Sequence, residues 1–421
     1  MMTLLNVDHL RRYGWALPAL LLLSLPLPGG GRPVFWASVL IGACILLVLR
    51  RSPWGLSARR LCLVWSLLAL PVMLSLPGSV DPLGTWKVLG VLVSALPAGL
   101  CWLFFLESAE ARWRFDRLLV LLVLFSCVDG FWQAFFATDL FGIPQTDDGR
   151  VVGPFSGNLR FPVFLSLLVA GAVAFLASQG RTMVAILLWV MGAAVVVLGG
   201  TRAQIVTLMI GAVALLPAFA PSVRHPRLLW VSLLAIVGLA AGIGMVDQGI
   251  VATHALSTLL QSDRWFETLD TLSSSRLSTW QIALAMGVDR FAGVGASAFT
   301  EAYASFAAPG DPRVVFAGAG IEINHAHHVW FAIFAETGII GLTGLLAALV
   351  LAVRWWGKAQ RSARAAARPY AVLLITYLFP GALHPPLYLF WIFPLIWLFL
   401  CLYLAALSGG GESSPSRLPL K

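Results

Sequence analysis

Residues 118–137 read LLVLLVLFSCVDGFWQAFFA, and Asp129 is the one charged residue in this run. About 20 consecutive apolar residues are needed for a helix to cross the hydrocarbon core of a bilayer. The run does not alternate apolar and polar residues, as a strand of a membrane barrel would. It therefore predicts a transmembrane helix.

The same pattern extends over the whole chain. Of its 421 residues, 59% are hydrophobic and only 11% are charged, whereas soluble domains contain about 25% charged residues. This excludes a water-soluble globule of this size. Backbone groups in lipid must be hydrogen-bonded internally, so we predict an all-α polytopic membrane protein. We expect about twelve transmembrane helices, at roughly 14–28, 33–49, 61–77, 85–106, 118–137, 158–178, 183–199, 203–220, 228–246, 328–353, 369–384 and 387–407.

Basic residues set the predicted orientation. Most of the 28 Lys and Arg residues fall on one side of the membrane when the N-terminus is placed in the cytoplasm. The net charge of +9 then follows from topology, and we expect membrane lipids but no nucleic acid as partners. Three regions result: residues 1–247 with transmembrane helices 1–9, residues 248–327 as one large outer loop with amphipathic helices, and residues 328–421 with transmembrane helices 10–12 and a cytoplasmic tail.

Two arginines are candidate anion ligands. Arg202 follows Thr201 in a short outer turn, and Thr201 is expected to cap the next helix. Free backbone N–H groups beside a guanidinium form a good phosphate site. Arg276 opens an apparent loop helix that has Leu277, Trp280 and Leu284 on one face. The alternatives are an interfacial anchor or a structural ion pair for Arg202 and a solvated side chain for Arg276.

The sharpest cluster is residues 322–330, EINHAHHVW. We expect Asn324 to cap the tenth transmembrane helix, so that the histidines occupy its first turn. The helix dipole there lowers the pKa of a histidine, and a neutral imidazole accepts a proton from a hydroxyl. A metal site or interfacial histidines are the alternatives, but no His-Glu-x-x-His pattern or cysteine partner supports a metal. Glu336 lies deeper in the same apolar run, where an acid usually has a partner or a function.

These segments form an ordered set of motifs. It consists of GPFSGN at 153–158, GTRA at 200–203, RLSTW at 276–280 followed by GVG at 293–295, HAHH at 325–328 and AETGIIGL at 335–342. The set resembles the O-antigen ligase family over roughly residues 150–345. The family usually has asparagine at the position of His328, which is the one departure.

The resemblance implies a GT-C-like fold with one large helical periplasmic loop, in the bacterial inner membrane with the active site facing the periplasm. It further implies a metal-independent, inverting glycosyltransferase without a cofactor. Such an enzyme transfers a glycan from undecaprenyl diphosphate to lipid A–core oligosaccharide in lipopolysaccharide biosynthesis. The implied site has His327 as base with His325 as second choice, Arg202, Arg276 and Arg160 as diphosphate ligands, and supporting roles for Asn324, His328, Trp280 and Glu336.

Other functions share part of this pattern. An O-antigen polymerase or a protein O-oligosaccharyltransferase would differ mainly in the acceptor. A lipid-linked sugar transporter or flippase would predict polar residues at several depths and inverted repeats. The sequence shows only Asp129 and Glu336 at depth and no repeat. A structural scaffold would leave the outer arginines and histidines unexplained.

Overall fold

The computed structural model describes residues 7–27, 29–49, 55–155, 160–219, 270, 276–308, 311 and 325–409. Within these ranges the chain is helical and forms no β-strand, apart from one isolated bridge between Thr138 and Pro144. The predicted all-α class is confirmed.

The helices are numbered here in chain order. They are α1 (Val7–Gly14), α2 (Ala16–Ser24), α3 (Arg32–Leu49), α4 (Leu56–Ser75), α5 (Pro82–Leu106), α6 (Ala109–Phe136), α7 (Arg160–Ser178), α8 (Thr182–Leu198), α9 (Arg202–Phe219), α10 (Arg276–Asp289), α11 (Phe299–Phe306), α12 (Val329–Lys358), α13 (Arg361–Leu378) and α14 (Phe393–Ser408). Short 3-10 turns cover Leu76–Gly78 and Gly153–Phe155.

Six helical segments among the described residues are long and apolar enough to cross a membrane: Leu56–Gly78, Pro82–Leu106, Ala109–Phe136, Arg160–Ser178, Arg202–Phe219 and Val329–Lys358. Shorter apolar helices cover Arg32–Leu47, Thr182–Leu198 and Phe393–Ser408. The chain is therefore a membrane protein, as predicted. The count of about twelve stays a prediction, and the predicted span at 228–246 lies outside the described residues.

Two predicted spans differ in extent from the helices that contain them. The span predicted to start at residue 118 belongs to α6, which begins at Ala109 because the Ser108 hydroxyl accepts the N–H of Ala111 at 3.1 Å. This is a serine N-cap. The span predicted at 369–384 is α13, which ends at Leu378. An irregular connection follows it up to α14.

Helix α7 lies at the centre of the bundle. Every residue from Phe161 to Ala177 is buried, and the helix packs against α6, α8, α9 and α13. A helix that is apolar all round belongs inside a bundle rather than at a lipid-facing surface. It thus holds the helices that carry the outer connections in place.

A second apolar core joins α10 and α11 to the bundle. Side chains of α10 and α11 pack against the first two turns of α12, and the buried members are Ile282, Ala283, Met286, Val294, Ala298, Phe299, Ala302, Tyr303, Ala326, Ala332 and Ala335. The predicted apolar face of α10 was wrong at Leu284, which is 42% exposed. The face that packs on α12 instead carries the small residues Ala283 and Gly287, which let the two helices approach closely. A Cβ atom on Gly287 would lie 2.5 Å from the Phe334 ring.

Helix α12 breaks at Gly338, whose φ of 62° and ψ of −160° are not helical. The break leaves backbone carbonyls of the preceding turn without helical partners. The Val294 N–H donates to the Ala335 carbonyl at 2.9 Å, and the Gly295 N–H donates to the Glu336 carbonyl at 3.0 Å. Non-helical backbone within a membrane protein needs such partners. The loop segment 293–295 therefore docks into the break.

We expect Gly338→Ala to destabilise the protein. A Cβ atom there would lie 2.0 Å from the Phe291 carbonyl oxygen, and the positive φ disfavours any L side chain. This combination of φ and ψ is essentially restricted to glycine and costs about 1–3 kcal/mol for another residue, and the clash adds to that. The measurement is the thermal midpoint in detergent. Gly357→Ala is the control, because a Cβ atom there meets nothing within 4 Å. Equal midpoints for the two variants would contradict the docking of the loop.

Candidate functional site

Trp280 of α10 joins the loop helix to the histidine segment. Its indole N–H donates to the Ala326 carbonyl at 2.9 Å. Its ring stacks on Phe331 with centroids 5.2 Å apart, and lies edge-on to His328 at 5.3 Å. These contacts hold the first residue of α10, Arg276, on the same side as the histidines. Trp280 thus contacts the histidine segment, and its supporting role stays a prediction.

His328 caps α12. Its Nδ1 accepts the Phe331 N–H at 3.4 Å, and its Nε2 lies 2.7 Å from the Pro380 carbonyl oxygen. A carbonyl only accepts, so Nε2 carries the proton and the ring is the neutral tautomer. Burial lowers the pKa of His328, in agreement with a neutral ring. The expectation that the histidines occupy the first turn was wrong, because the helix begins after them. Asn324, the predicted cap, lies outside the described residues.

His327 has a left-handed backbone with φ of 52°. This conformation is uncommon for residues other than glycine, and it persists only where surrounding structure imposes it. Here His328 is held on one side by the helix cap, and the Ala326 carbonyl is held on the other by Trp280. The ring of His327 lies against that of His325, with centroids 4.2 Å apart. The contacts on both sides therefore fix the backbone turn at His327, and this turn sets the direction of its imidazole ring.

His327, Arg276 and Arg202 form one electrostatic group. His327 is accessible to solvent on one side, and the protein packed against its other side removes part of the hydration of the ring. This desolvation, followed by the positive charge of Arg276, lowers the pKa of His327 to about 4. Burial and then the charge of Arg202 lower the pKa of Arg276. The three residues come from α9, α10 and the segment before α12, so the fold brings together side chains that are distant in sequence.

The electrostatics of this group favour an anion. Two guanidinium groups that repel one another raise the free energy of the empty site, and a bound anion relieves that repulsion. A neutral imidazole beside them at physiological pH is able to accept a proton. The arrangement is therefore chemically suited to hold an anionic leaving group and to deprotonate a second substrate.

Arg202 begins α9 after a tight turn at Gly200, which has φ of 64°. The predicted cap by Thr201 was wrong. The Thr201 hydroxyl is buried and makes no hydrogen bond with any residue that the structure describes. The side chain of Arg150 covers Gly200, because a Cβ atom there would lie 2.9 Å from Arg150 Cδ, and Arg150 pairs with Asp148 at 2.7 Å. This turn exposes Arg202 at the end of its helix.

Two other predicted site residues lie in different surroundings. Arg160 is exposed at the start of α7, with its guanidinium 5.4 Å from the centre of the Trp391 ring. No contact between described residues joins it to the arginine–histidine group, so its part in binding diphosphate stays a prediction. Glu336 is 4% exposed, and its carboxyl group faces the backbone of Ser297. This position supports the loop rather than the reacting atoms.

Two further polar groups lie near the site: Asp270, which the sequence did not indicate, and His384, for which a structural role in the last connection was expected. Asp270 accepts hydrogen bonds from the Ser278 N–H at 2.9 Å and the Ser278 hydroxyl at 2.6 Å, which stabilises the first turn of α10. His384 is fully buried, with its ring stacked on Tyr377 and its Nε2 3.3 Å from the Thr207 hydroxyl. An aspartate six residues before a helix start carries no usual capping signal, so only the fold identifies it.

The comparison with protein families bears directly on this region. Residues 185–346 match the O-antigen ligase family. The resemblance inferred from the motifs is thereby confirmed for this segment. No curated protein matches the chain.

The matched segment contains most of the site. Arg202, Arg276, His325 and His327 lie within it, as does the break at Gly338, whereas Arg160 precedes it. The match supports a function of the O-antigen ligase or polymerase type, with a transferase activity and lipid-linked glycans as substrates. Among the residues with described positions, no group of three or more His, Cys, Asp or Glu side chains could hold a metal ion.

The cap predicts a difference between two substitutions of His328. His328→Ala removes both the cap and the bond to Pro380, for a loss of about 1–3 kcal/mol. His328→Asn keeps a good capping residue and loses mainly the bond to Pro380, so its thermal midpoint in detergent should lie between those of wild type and the alanine variant. If the asparagine variant were no more stable than the alanine variant, the capping role assigned to His328 would be wrong.

Proposed function

We propose that this protein is an O-antigen ligase that transfers a glycan from undecaprenyl diphosphate to lipid A–core oligosaccharide at the periplasmic face of the bacterial inner membrane. The observation that carries the proposal is the grouping of Arg202, Arg276 and His327 within the segment that matches the family. The predicted orientation of the basic connections supports a periplasmic position for this group.

In the proposed reaction, an acceptor hydroxyl attacks the anomeric carbon of the donor glycan. The bond between that carbon and the diphosphate oxygen breaks, and a single displacement inverts the anomeric centre. The proton of the hydroxyl passes to His327, and the negative charge of the departing undecaprenyl diphosphate is held by Arg202 and Arg276. Diphosphate is already a good leaving group, so positioning and charge stabilisation supply most of the catalysis.

The pKa of His327, and with it its strength as a base, depends on whether diphosphate is bound to the two arginines. Desolvation and then the Arg276 charge lower its pKa to about 4. A bound diphosphate neutralises the arginines and adds negative charge close to the ring. Both effects favour the protonated imidazole and raise its pKa towards the range in which a base works best near neutral pH. The donor therefore strengthens the base that activates the acceptor.

Reconstitution tests the proposed function. Purified protein in proteoliposomes is given an undecaprenyl-diphosphate glycan and lipid A–core, and glycan transfer is measured. We expect transfer by the wild type, a loss of about 10²–10⁴-fold for His327→Ala, and a smaller loss for His325→Ala. Elongation of the donor glycan instead of transfer to lipid A–core would identify a polymerase and overturn the ligase assignment. Full activity of His327→Ala would remove this histidine from the role of base.

The arginine pair predicts a specific effect of Arg202→Lys. Lysine keeps the charge but cannot make a bidentate contact with phosphate oxygens. A charged hydrogen bond contributes about 1.5–3 kcal/mol, so kcat/KM for the donor should fall about 10–100-fold. Arg32→Lys is the control, because Arg32 is another outer arginine and lies over the Phe390 ring. Equal kcat/KM values for the two variants would contradict a role of Arg202 in binding diphosphate and leave it as an interfacial anchor.

The pH dependence of transfer follows from the state of His327. For the donor, kcat/KM reports the free protein. It should fall only as pH approaches about 4, rather than near 6.5, the ordinary pKa of histidine, because protonation of His327 abolishes the base. The acidic limb of kcat should lie at higher pH, because it reports the donor complex, in which diphosphate raises the pKa. Arg276→Gln should move the acidic limb of kcat/KM to higher pH, because the variant lacks the charge that lowers the pKa of His327. Coincident limbs near 6.5 in wild type and variant would contradict this coupling.

A further inference from the structure

A second cluster of arginines lies at the end of α12 remote from His327. Arg361, Arg364 and Arg368 line a cavity of about 320 Å³ together with Trp356 and Pro217. The 30 residues of α12 make the helix about 45 Å long, which separates this cavity from the histidines by the thickness of a membrane. The distribution of basic residues predicts that this end faces the cytoplasm.

The three arginines are placed to act together. They occupy positions i, i+3 and i+7 in the first two turns of α13, so they share one face of the helix. No acidic residue lines the cavity, and no ion pair with a described residue involves any of the three. Like charges at this spacing destabilise a helix, and a bound anion removes that cost.

The cavity continues into an apolar groove. The groove has a volume of about 600 Å³, is lined by α4, α12, α13 and α14, and shares Trp356 and Pro217 with the arginine cavity. Its wall near Trp356 is ordered by Tyr403, whose ring stacks on Trp356 and whose hydroxyl donates to the Ala352 carbonyl at 2.8 Å. A single ligand could thus place an anionic group on the arginines and an apolar chain in the groove.

We propose that this composite site binds one anionic phospholipid, with its headgroup phosphate on Arg361, Arg364 and Arg368 and an acyl chain in the groove. Basic pockets between transmembrane helices on the cytoplasmic side suit anionic headgroups, and the cytoplasmic surface of a membrane is rich in such lipids. Trp356 joins the two parts at the depth where aromatic side chains meet the headgroup region. The proposal is independent of the transferase assignment.

Native mass spectrometry of the full chain in detergent tests the site. The protein is titrated with dioleoyl phosphatidylglycerol and, separately, with dioleoyl phosphatidylcholine. Each arginine near an anionic lipid contributes enough to make the preference for phosphatidylglycerol on the order of 10–100-fold. We expect the Arg361→Gln, Arg364→Gln, Arg368→Gln triple variant to lower that preference to about 2-fold or less. Equal binding of the two lipids by wild type would overturn the proposal.

A matched control variant tests whether the lipid preference depends on these three arginines or only on the net charge of the protein. Arg12→Gln, Arg59→Gln, Arg181→Gln removes the same charge from exposed arginines on the predicted cytoplasmic side, and it should keep the preference. An equal loss in this control would overturn the proposal, because the lipid would then sense only overall charge.

The groove provides a second variant that leaves all arginines in place. Ala371 lines the groove one turn beyond Arg368, so Ala371→Phe should obstruct the acyl chain and weaken phosphatidylglycerol binding about 10-fold. Inorganic phosphate at equal concentration should not displace the lipid. Efficient displacement by phosphate, with Ala371→Phe binding as wild type does, would identify a free-phosphate site and overturn the lipid assignment.

Discussion

The functional region depends on two backbone hydrogen bonds, from Val294 to Ala335 and from Gly295 to Glu336. They satisfy carbonyls that the break at Gly338 removes from the helix, and they hold the outer loop against α12. A helix interrupted inside a membrane is stable only when other backbone groups replace its lost bonds. The interruption and the docked loop therefore require one another. The position of α10, and with it that of Arg276, follows from this contact.

The close approach explains the glycines on both sides. A Cβ atom on Gly293 would lie 2.3 Å from the Glu336 carbonyl carbon, and one on Gly338 would lie 2.7 Å from the Gly293 backbone nitrogen. Both residues also have positive φ. The two backbones are in direct contact here without intervening side chains, so the position of the loop along α12 is fixed. A site assembled from α9, α10 and the start of α12 needs such precision, because a displacement of about 1 Å is enough to impair catalysis.

The sequence was sufficient for the class of protein and for the family resemblance of its second half. Long apolar runs predicted helices, and the ordered motifs predicted the family match at 185–346. The sequence could not reveal that the motifs at 293–295 and 335–342 touch, because that contact is tertiary. The cap by His328 was also missed, since histidine is not among the usual capping residues. Its capping depends on a bond to Pro380, which is remote in sequence.

In the proposed reaction, the electrostatics of the arginine–histidine group have a consequence for the order of events. An imidazole with a pKa of about 4 is a weak base, so a hydroxyl that enters the empty site is poorly activated. A diphosphate on the two arginines changes that, because its charge favours the protonated ring. The proposed mechanism therefore makes strong deprotonation available only when the group to be displaced is in place. A site with a histidine of ordinary pKa would lack this dependence. Desolvation around His327 and the repulsion between Arg276 and Arg202 are therefore the features by which the proposed mechanism links donor binding to acceptor activation.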